Sequence, residues 1–450
     1  MRFLPDTGQP VVAVVGFGYV GSCIGATLAS RGLRVLGIDA DPALVSEIAS
    51  GHCRFNEPGL AAALTAARAA GTLTVSTEVT AAAEADVILI AVGTPVDAGR
   101  QIVTGPLEAA CAELAAVLRP GQLVILKSTV APGTTQRLAA PLLERGGLAA
   151  SRDFGLAFCP ERLAEGDALA QFGTIPMVVG GCDEESTAAA AAFWTGALDV
   201  PVIEFASPAV AELVKLTDNW WIDANIALAN ELAKLCGALE IDVLDVIAGA
   251  NSLPKGSSHV NVLLPSVGVG GSCLTKDPWI LWTAGRQHGL DLQMASTARA
   301  VNDTMPGYTH DLICTGLTEL AKDPASAKVA VLGLAFKNNT NDLRNTPVRP
   351  VVAALRASCR EVTIFDPLVD EAAAAAEFGL APAVSAQAAV SGADCIAVLA
   401  GHDQIRQLDL AELAGLVSMP CLIVDGRAYY PPQTIKEMRG LGFAYRGIGR

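Results

Sequence analysis

Histidine and aromatic side chains are scarce in this 450-residue chain, which has five histidines and 5% aromatic residues. The histidines are isolated, and the 11 cysteines include no Cys-x-x-Cys pair. Neither pattern has the spacing of metal ligands or of a disulfide framework, so we expect no metal site. Unpaired cysteines are typical of a reducing compartment, and we expect a cytoplasmic protein.

Positive charge is also in deficit, since 31 lysines and arginines stand against 46 acidic residues and the formal charge is -15. This balance argues against binding to nucleic acid or to an anionic membrane. A local basic pocket for an anionic small molecule remains compatible with it. Apolar runs fall short of the ~18 residues of a membrane span, and the first ten residues lack the layout of a signal peptide.

The beginning of the chain carries a dinucleotide-binding pattern. Residues 11–15 are a mostly β-branched run, typical of a strand buried on both faces. The sequence GFGYVG follows at 16–21, then a helical pattern, then a second strand that ends in Asp39. Glycines at these spacings allow a tight turn and the approach of a pyrophosphate to the helix N-terminus. Asp39 would bind the adenosine ribose and repel a 2′-phosphate, which favours NAD over NADP; the alternative is a glycine-rich turn without a ligand.

Three later strands also end in polar residues. Because ligands bind at the carboxyl ends of strands in open α/β sheets, such residues are candidates for a cofactor or substrate site. Taken singly, each could equally be a loop residue without a chemical role. They are Thr94, Thr129 and Glu161, which follow strands predicted at 86–92, 123–126 and 154–158.

A long helix is predicted from Ser207-Pro208, a capping residue followed by proline, to about residue 239. Its apolar residues cover most of the circumference, including the adjacent Trp220 and Trp221, which predicts at least a dimer with this helix near the interface. Polar residues recur on one stripe, which is either solvated or faces a polar site that contains Lys215 and Asn219. The stripe comprises Glu212, Lys215, Asn219 and Asp223.

Residues 267–277, VGVGGSCLTKD, combine glycines with a thiol, an ammonium and a carboxylate. Glycine allows a close approach of the backbone to a ligand, and a neighbouring cation favours the nucleophilic thiolate form of a cysteine. The stretch therefore predicts an exposed nucleophile, Cys273, with Lys276 and Asp277 beside it. The alternative is a small, buried structural cysteine.

A second strand–helix series starts at residue 328 and lacks the full glycine pattern. Lys337, Arg344 and Arg427 are expected at one edge of its sheet, where they suit a diphosphate or a nucleoside. The chain is too long for one core. We expect an α/β fold with two Rossmann-like, doubly wound parallel sheets joined by a long central helix and a helical domain. The expected domains are 1–205, 206–322 and 323–450.

Taken together, the motifs resemble those of the nucleotide-sugar 6-dehydrogenases, the family of the UDP-glucose, GDP-mannose and UDP-N-acetylmannosamine dehydrogenases. The likeness covers nearly the whole chain. It rests on GFGYVG at 16–21, KSTV at 127–130, PER at 160–162, AELVKLTDN at 211–219, GGSC at 270–273 with KD at 276–277, and AFK at 335–337 with DLR at 342–344.

The resemblance implies a four-electron oxidation of the C6 hydroxymethyl of a nucleotide-diphosphate sugar to a uronate, with NAD as cofactor and a thiohemiacetal and a thioester on Cys273. It implies a homodimer or a larger homo-oligomer. The implied catalytic residues are Cys273, Lys215, Asn219, Asp277, Thr129 and Glu161. The residues implied for NAD are Gly16, Gly18, Tyr19, Val20, Gly21, Asp39, Thr94, Thr129, Lys276 and Arg344. Those implied for the sugar nucleotide are Glu161, Lys215, Asn219, Gly270, Lys337 and Arg427.

The expected sugar is a UDP-hexose, with N-acetylmannosamine or N-acetylglucosamine ahead of glucose, because residues 225–232 and 277–279 are similar to the UDP-N-acetylmannosamine branch. Ile222 and Ser258-His259 depart from that branch, which usually has Arg and Pro-Arg there. A dTDP-glucose 6-dehydrogenase is an alternative. Two further hypotheses are a two-electron hydroxyacid-type dehydrogenase with Lys215 as acid and base, and a non-catalytic NAD-dependent sensor or scaffold.

Overall fold

The computed structural model describes residues 2–5 and 8–450. The described chain forms two compact units. One comprises the residues up to Asp218 together with Trp279–Leu290, and the other comprises Asn219–Pro278 together with Asp291–Arg450. The division into three domains at 205 and 322 remains a prediction from the sequence.

The first unit is built on an eight-stranded sheet. Its strands are β1 Val12–Val15, β2 Val35–Ile38, β3 Leu73–Ser76, β4 Val87–Ile90, β5 Leu123–Leu126, β6 Gly155–Phe158, β7 Met177–Gly181 and β8 Val202–Phe205. Their order is β3-β2-β1-β4-β5-β6-β7-β8, with every neighbouring pair parallel except β6 and β7. The α/β fold class is confirmed, but this sheet contains one antiparallel pair where a wholly parallel sheet was expected. Between β6 and β7 the chain forms one five-residue helix in place of the longer helix that usually carries a parallel crossover.

Helices cover both faces of this sheet. They are α1 Tyr19–Ser30, α2 Pro42–Ser50, α3 Leu60–Ala69, α4 Gly105–Ala115, α5 Ala140–Leu143, α6 Ala168–Phe172 and α7 Glu184–Leu198, with a π-helical turn at Thr135–Ala139 before α5. Side chains alternate along each strand, so that Val12 and Val14 belong to one apolar cluster and Ala13 and Val15 to the other. Burial on both faces explains why β1 reads as an uninterrupted apolar run.

The second unit contains a five-stranded parallel sheet and most of the remaining helices. The elements in chain order are α8 Pro208–Leu239, which begins in the first unit, α9 Val243–Asn251, a hairpin of β9 Pro254–Lys255 and β10 Ser258–His259, α10 Asp277–Gln287, which belongs to the first unit from Trp279 onward, α11 Gln293–Glu319, β11 Lys328–Leu332, α12 Val348–Ser358, β12 Glu361–Phe365, α13 Glu371–Phe378, α14 Ala386–Val390, β13 Cys395–Val398, α15 Asp403–Arg406, α16 Leu410–Leu416, β14 Leu422–Asp425, α17 Pro432–Gly440 and β15 Ala444–Gly447. The strand order is β12-β11-β13-β14-β15.

Both sheets contain the same turn after their first strand. Gly16 adopts a φ of +88° after β1, and its N–H donates to the carbonyl of Ile38 at 2.8 Å. Gly333 adopts a φ of +83° after β11, and its N–H donates to the carbonyl of Phe365 at 2.9 Å. A residue with a Cβ rarely takes this conformation, so both positions require glycine.

The acidic residue after the second strand of this turn differs between the sheets in exposure. Asp39 accepts a hydrogen bond from the N–H of Phe17 at 2.7 Å and is half-buried. Asp366 accepts one from the N–H of Leu334 at 2.7 Å, but the Nε2 of His402 also donates to it at 2.9 Å. The side chain of Asp366 is 1% exposed, so the imidazole closes this carboxylate from solvent.

Among the described helices, none is both long and apolar enough to cross a membrane. The longest, α8, has apolar residues on its exposed surface but also carries the polar stripe of the sequence. That stripe is buried: Glu212 and Asp223 are 0% exposed, and Lys215 and Asn219 are 7% exposed. The interpretation of the stripe as a solvated face was therefore wrong.

Candidate active site

The glycine-rich turn between β1 and α1 leaves open space at the helix N-terminus. A Cβ on Gly16 would lie 2.7 Å from the backbone nitrogen of Val92, and one on Gly21 would collide with the carbonyl of Gly16, so these two glycines are needed for packing. A Cβ on Gly18 would meet nothing within 4 Å. Gly18 is also the N-cap and offers no side-chain acceptor to the first helical turn. Backbone N–H groups at a helix N-terminus that lack a side-chain acceptor attract an anion. The turn therefore fits the pyrophosphate of a dinucleotide.

Asp39 stands at the end of β2, beside this turn. Its Oδ2 accepts from the N–H of Phe17 and its Oδ1 from the N–H of Asp41 at 3.0 Å. Two backbone donors fix the carboxylate while leaving lone pairs for further donors, which fits the hydroxyls of a ribose. The preference for NAD over NADP stays a prediction.

Tyr19 and Val20 begin α1, but the hydroxyl of Tyr19 is already engaged within the protein. It donates to the Oε2 of Glu57 at 2.5 Å, and Glu57 also accepts from the N–H of Gly166 at 2.7 Å. Burial, together with the hydrogen bond to Glu57, raises the pKa of Tyr19. Glu57 is 5% exposed, and it was missed because only its acidic character before a Pro-Gly turn marks it in the sequence.

The polar residues predicted at the carboxyl ends of β4, β5 and β6 do lie at one edge of the sheet. The hydroxyl of Thr94 donates to the carbonyl of Thr129 at 2.6 Å. Glu161 stands after β6, and its Oε1 accepts from the backbone N–H of Arg162 at 2.8 Å. Lys127, at the end of β5, reaches within 3.4 Å of the Oε2 of Glu161. Sequence reasoning had assigned no role to Lys127, although a lysine directly after a buried apolar strand was a signal.

Glu212 at the start of α8 holds the loop that follows Thr129. Its Oε1 accepts from the N–H and the hydroxyl of Thr135 at 2.8 and 2.6 Å, and its Oε2 accepts from the N–H of Gly133. Burial raises the pKa of Glu212 despite these donors. Lys215, one helical turn further along α8, remains a candidate for the site by its position and burial.

In the second unit, Cys273 is exposed, which disagrees with the alternative of a buried structural cysteine. Its carbonyl accepts hydrogen bonds from the N–H groups of Lys276 and Asp277 at 3.1 and 2.9 Å. Asp277 begins α10 and is 0% exposed. Its Oδ2 accepts from the Nδ2 of Asn219 at 2.5 Å, and its Oδ1 accepts from the ammonium of Lys276 at 2.9 Å. The structure thus joins three of the predicted residues around one buried carboxylate.

The glycines before Cys273 pack against the loop that follows β11. A Cβ on Gly270 would collide with the side chain of Phe336, and one on Gly271 would lie 2.9 Å from the same ring. The N–H of Gly271 donates to the carbonyl of Arg344 at 2.9 Å. The side chain of Arg344 forms an ion pair with Asp342. Gly270 and Gly271 are therefore required by their packing against Phe336. Arg344, predicted to bind the cofactor, helps to position them through its backbone carbonyl.

A buried network that sequence reasoning missed lies under the residue after Cys273. The guanidinium of Arg299 on α11 donates to Asp223 at 2.7 Å and to the carbonyl of Leu274 at 3.4 Å. Asn302 also donates to the Oδ1 of Asp223, at 2.8 Å. In the sequence, this network was indicated only by Asp223, the last residue of the polar stripe on α8.

Arg427 follows β14 and joins two loops at the carboxyl edge of the second sheet. Its Nε donates to the carbonyl of Leu399 at 2.8 Å, and its Nη2 donates to the carbonyl of Phe336 at 2.6 Å. Burial lowers the pKa of Arg427 to about 10. Since Lys337 directly follows Phe336, these two predicted substrate residues do share one edge.

Three family models match this chain. They are the NAD binding domain of the UDP-glucose/GDP-mannose dehydrogenase family over residues 11–197, its central domain over 209–304 and its UDP binding domain over 330–432.

Relatives resemble the chain over nearly its full length. A UDP-N-acetyl-D-mannosamine dehydrogenase of Pyrococcus horikoshii is 33% identical, over 98% of this chain and 99% of that protein. An NDP-N-acetyl-D-galactosaminuronic acid dehydrogenase of Ralstonia nicotianae is 33% identical, over 96% and 98% respectively. Two solved structures are similar, a UDP-D-ManNAc dehydrogenase of Pyrococcus horikoshii and a UDP-glucose dehydrogenase of Pyrobaculum islandicum. The first has a TM-score of 0.87 at 32% identity and covers 98% of this chain and 99% of its own. The second has a TM-score of 0.86 at 30% identity and covers 99% of both chains.

Proposed function

Since the chain belongs to the UDP-glucose/GDP-mannose dehydrogenase family, we propose that it oxidises the C6 hydroxymethyl of a UDP-linked N-acetylhexosamine to a uronate through Cys273. It is an NAD-dependent oxidoreductase that acts on a nucleotide sugar. The identity of the sugar, the role of each site residue and the assembly state are the parts of this proposal that experiments must test.

UDP-N-acetylmannosamine is the first candidate substrate. Two kinds of relative at 33% identity are named for N-acetylated sugars, and residues 225–232 and 277–279 had suggested the same branch. A solved UDP-glucose dehydrogenase is similar at 30% identity, which keeps UDP-glucose as the second candidate. A dTDP-sugar is the third.

The observation that carries the proposed chemistry is the exposed thiol of Cys273 close in sequence to the fully buried Asp277. Two NAD molecules, bound in succession, would each accept one hydride, the first of them in the oxidation of the C6 alcohol to the aldehyde. The sulfur of Cys273 adds to the carbon of the C6 aldehyde and gives a thiohemiacetal, from which loss of a hydride gives a thioester. Water attacks the thioester carbon, the carbon–sulfur bond breaks and the uronate leaves. The covalent bond retains the aldehyde between the two oxidations.

The neighbouring residues supply charge and orientation. Asn219 and Lys276 hold the carboxylate of Asp277, which can thereby orient water or accept a proton. Lys215 is a nearly buried cation and suits the stabilisation of oxyanions during both oxidations. Thr129 and Glu161, at the carboxyl edge of the first sheet, complete the proposed set.

The deciding experiment incubates the purified protein with NAD and a panel of UDP-, dTDP- and GDP-sugars, with NADH absorbance and product mass as readouts. We expect two NADH and one uronate per UDP-N-acetylmannosamine. Cys273→Ala should abolish uronate formation, and Cys273→Ser should accumulate an acyl-enzyme because an ester hydrolyses more slowly than a thioester. Cys182→Ala, which removes a half-buried thiol after β7, is the control and should keep full activity. One NADH per sugar with a stable aldehyde would instead support the two-electron hypothesis.

The proposed location is the cytoplasm, where reduced thiols persist, and the proposed assembly is a homodimer or larger homo-oligomer. Trp221, Leu228 and Leu235 recur on α8 at seven-residue spacing and are 49%, 55% and 55% exposed. That spacing places them on one face of the helix, and large exposed apolar side chains in a row favour an interface.

A further inference from the structure

Lys127 is a fully buried lysine at the catalytic edge of the first sheet. Its side chain is 0% exposed, and it stands between the last residue of β5 and Thr129. Burial of an ammonium is costly unless charge and hydrogen bonds compensate it. The contacts of Lys127 must therefore supply that compensation.

The polar contacts of Lys127 all lie on the turn that follows β6. Its ammonium lies 3.4 Å from the Oε2 of Glu161, donates to the carbonyl of Pro160 at 3.4 Å and lies 3.7 Å from the sulfur of Cys159. Glu161 is the one described carboxylate in ion-pair contact with it. Lys127 therefore ties the end of β5 to the residue proposed for catalysis at the end of β6.

Aromatic rings enclose the other side of the ammonium. It lies 4.6 Å from the ring centroid of Trp194 and 5.8 Å from that of Phe172. Both rings are fully buried, and cation–π attraction adds to the confinement. The ammonium is therefore bordered by the two rings on one side and faces the carboxylate of Glu161 on the other.

The two oxygens of Glu161 are held in different ways. Oε1 accepts from the N–H groups of Arg162 and Leu163 at 2.8 and 3.1 Å. Oε2 is buried, and no described residue donates a hydrogen bond to it, although Lys127 is within ion-pair distance. The lysine thus fixes Oε2 electrostatically without occupying its lone pairs in good geometry. An acceptor in this state suits a small external donor such as water.

We propose that Lys127 is a positioning residue that holds the Oε2 of Glu161 in the orientation in which it accepts a proton from the water consumed in thioester hydrolysis. This inference rests on the function proposed above. In the step, the water oxygen bonds to the thioester carbon, the carbon–sulfur bond breaks and the electron pair returns to the sulfur of Cys273. The proton released by the water passes to the carboxylate of Glu161. No oxidant or reductant takes part.

The test separates the two oxidations from the hydrolysis. With Lys127→Met, mixing enzyme, NAD and the UDP-sugar should give a burst of two NADH per active site followed by slow turnover. A misplaced acceptor should slow hydrolysis roughly 10²-fold, so the acyl-enzyme should be visible by intact mass spectrometry. The KM values for sugar and NAD should fall with kcat as acyl-enzyme accumulates, whereas kcat/KM should change little, because Lys127 is proposed to act only after the second hydride has left.

Lys322→Met is the matched control. Lys322 is 16% exposed and pairs with Asp394 at 2.7 Å in the second unit, so its loss also breaks a largely buried ion pair. We expect it to lower stability and to leave hydrolysis unchanged. Lys127→Arg, which keeps the charge, should recover part of the hydrolysis rate. Adding Lys127→Met to Glu161→Gln should cost little more than Glu161→Gln alone.

The outcomes distinguish this inference from the proposed function. Fast hydrolysis in a folded Lys127→Met, or full additivity with Glu161→Gln, would overturn the role of Lys127 alone. If Lys127→Met does not fold, Lys127→Arg decides, since a hydrolysis rate equal to that of the wild type would overturn the need for a defined ammonium position. Absence of an acyl-enzyme in every variant, with uronate still formed, would overturn the proposed function of Cys273.

Discussion

Replacing Gly18 by alanine should weaken NAD binding without weakening the fold. Gly18 has a φ of -62°, which alanine adopts readily, and a Cβ there meets nothing within 4 Å. The loss of a favourable N-cap glycine and the lower entropy of the unfolded chain oppose each other, so the free energy of unfolding should change by no more than about 0.5 kcal/mol. The methyl group would instead occupy the open side of the turn, where the backbone N–H groups are exposed to a ligand.

Gly21 and Gly25 provide the contrasting perturbations. A Cβ on Gly21 would collide with the carbonyl of Gly16, so that α1 must move away from β1. A Cβ on Gly25 would lie 2.6 Å from the ring of Phe17, which is 1% exposed and has no room to retreat. Each alanine should therefore cost about 1–3 kcal/mol of unfolding free energy, the usual cost of overpacking.

Urea denaturation and calorimetric titration with NAD measure the two effects separately. If the methyl group of Gly18→Ala displaces one or two hydrogen bonds to a charged phosphate, at about 1.5–3 kcal/mol each, the Kd for NAD should rise at least tenfold. The Kd of Gly25→Ala should follow only from its loss of folded protein. A Gly18→Ala protein that binds NAD as tightly as the wild type would refute the reasoning, as would one that loses more than about 1 kcal/mol of stability.

Three further outcomes are expected. Lys337→Ala and Arg427→Ala should each raise the KM for the nucleotide sugar about tenfold, because each removes one charge-assisted hydrogen bond. A fall in kcat at constant KM would contradict the proposed role of these residues in substrate binding. Light scattering at micromolar concentration should show a dimer or larger for the wild type and a smaller species for Leu228→Asp, and a monomeric wild type would remove the proposed interface. Burial alone would raise the pKa of Asp366, but the bond from His402 and the backbone donors outweigh it and lower that pKa. Its contribution to stability is then present above the unfolded value near pH ~4 and is lost as the pH falls through the folded value. The difference in unfolding free energy between wild type and Asp366→Asn should accordingly shrink on acidification, and a constant difference would show that the carboxylate does not titrate this way.

The features that the sequence predicted correctly are those with local signals. The turn at 16–21 directly follows its strand, the run at 328–332 is itself the strand β11, and the start of α8 is marked by Ser207-Pro208. The family and the fold class followed from such motifs and are confirmed. The strands β7 and β8 were not predicted. β7 ends in two glycines and pairs antiparallel with β6 over two residues only, and β8 is an edge strand whose side chains are partly exposed, so neither has a marked apolar pattern.

The parts of the site that were missed depend on contacts between distant residues. Lys127 forms an ion pair with Glu161, which lies 34 positions further along the chain, and Arg299 forms one with Asp223. Neither partner can be identified from the sequence around the lysine or the arginine. A spacing rule within one helix indicated that Glu212, Lys215, Asn219 and Asp223 share a side, yet it could not show that the side is buried. Burial is a property of the folded chain and is visible only in the structure.

The closure of Asp366 by His402 bears on how a chain with two similar sheets keeps two similar molecules apart. NAD and a nucleotide sugar both carry a ribose and a pyrophosphate. A chain with an exposed carboxylate at the same place on each sheet would therefore present the same hydrogen-bond acceptor to both riboses. Asp39 is half-buried and reachable, whereas the side chain of Asp366 is 1% exposed behind the imidazole. Because the imidazole closes Asp366, we expect the ribose of the dinucleotide to bind at Asp39 on the first sheet and not at Asp366 on the second.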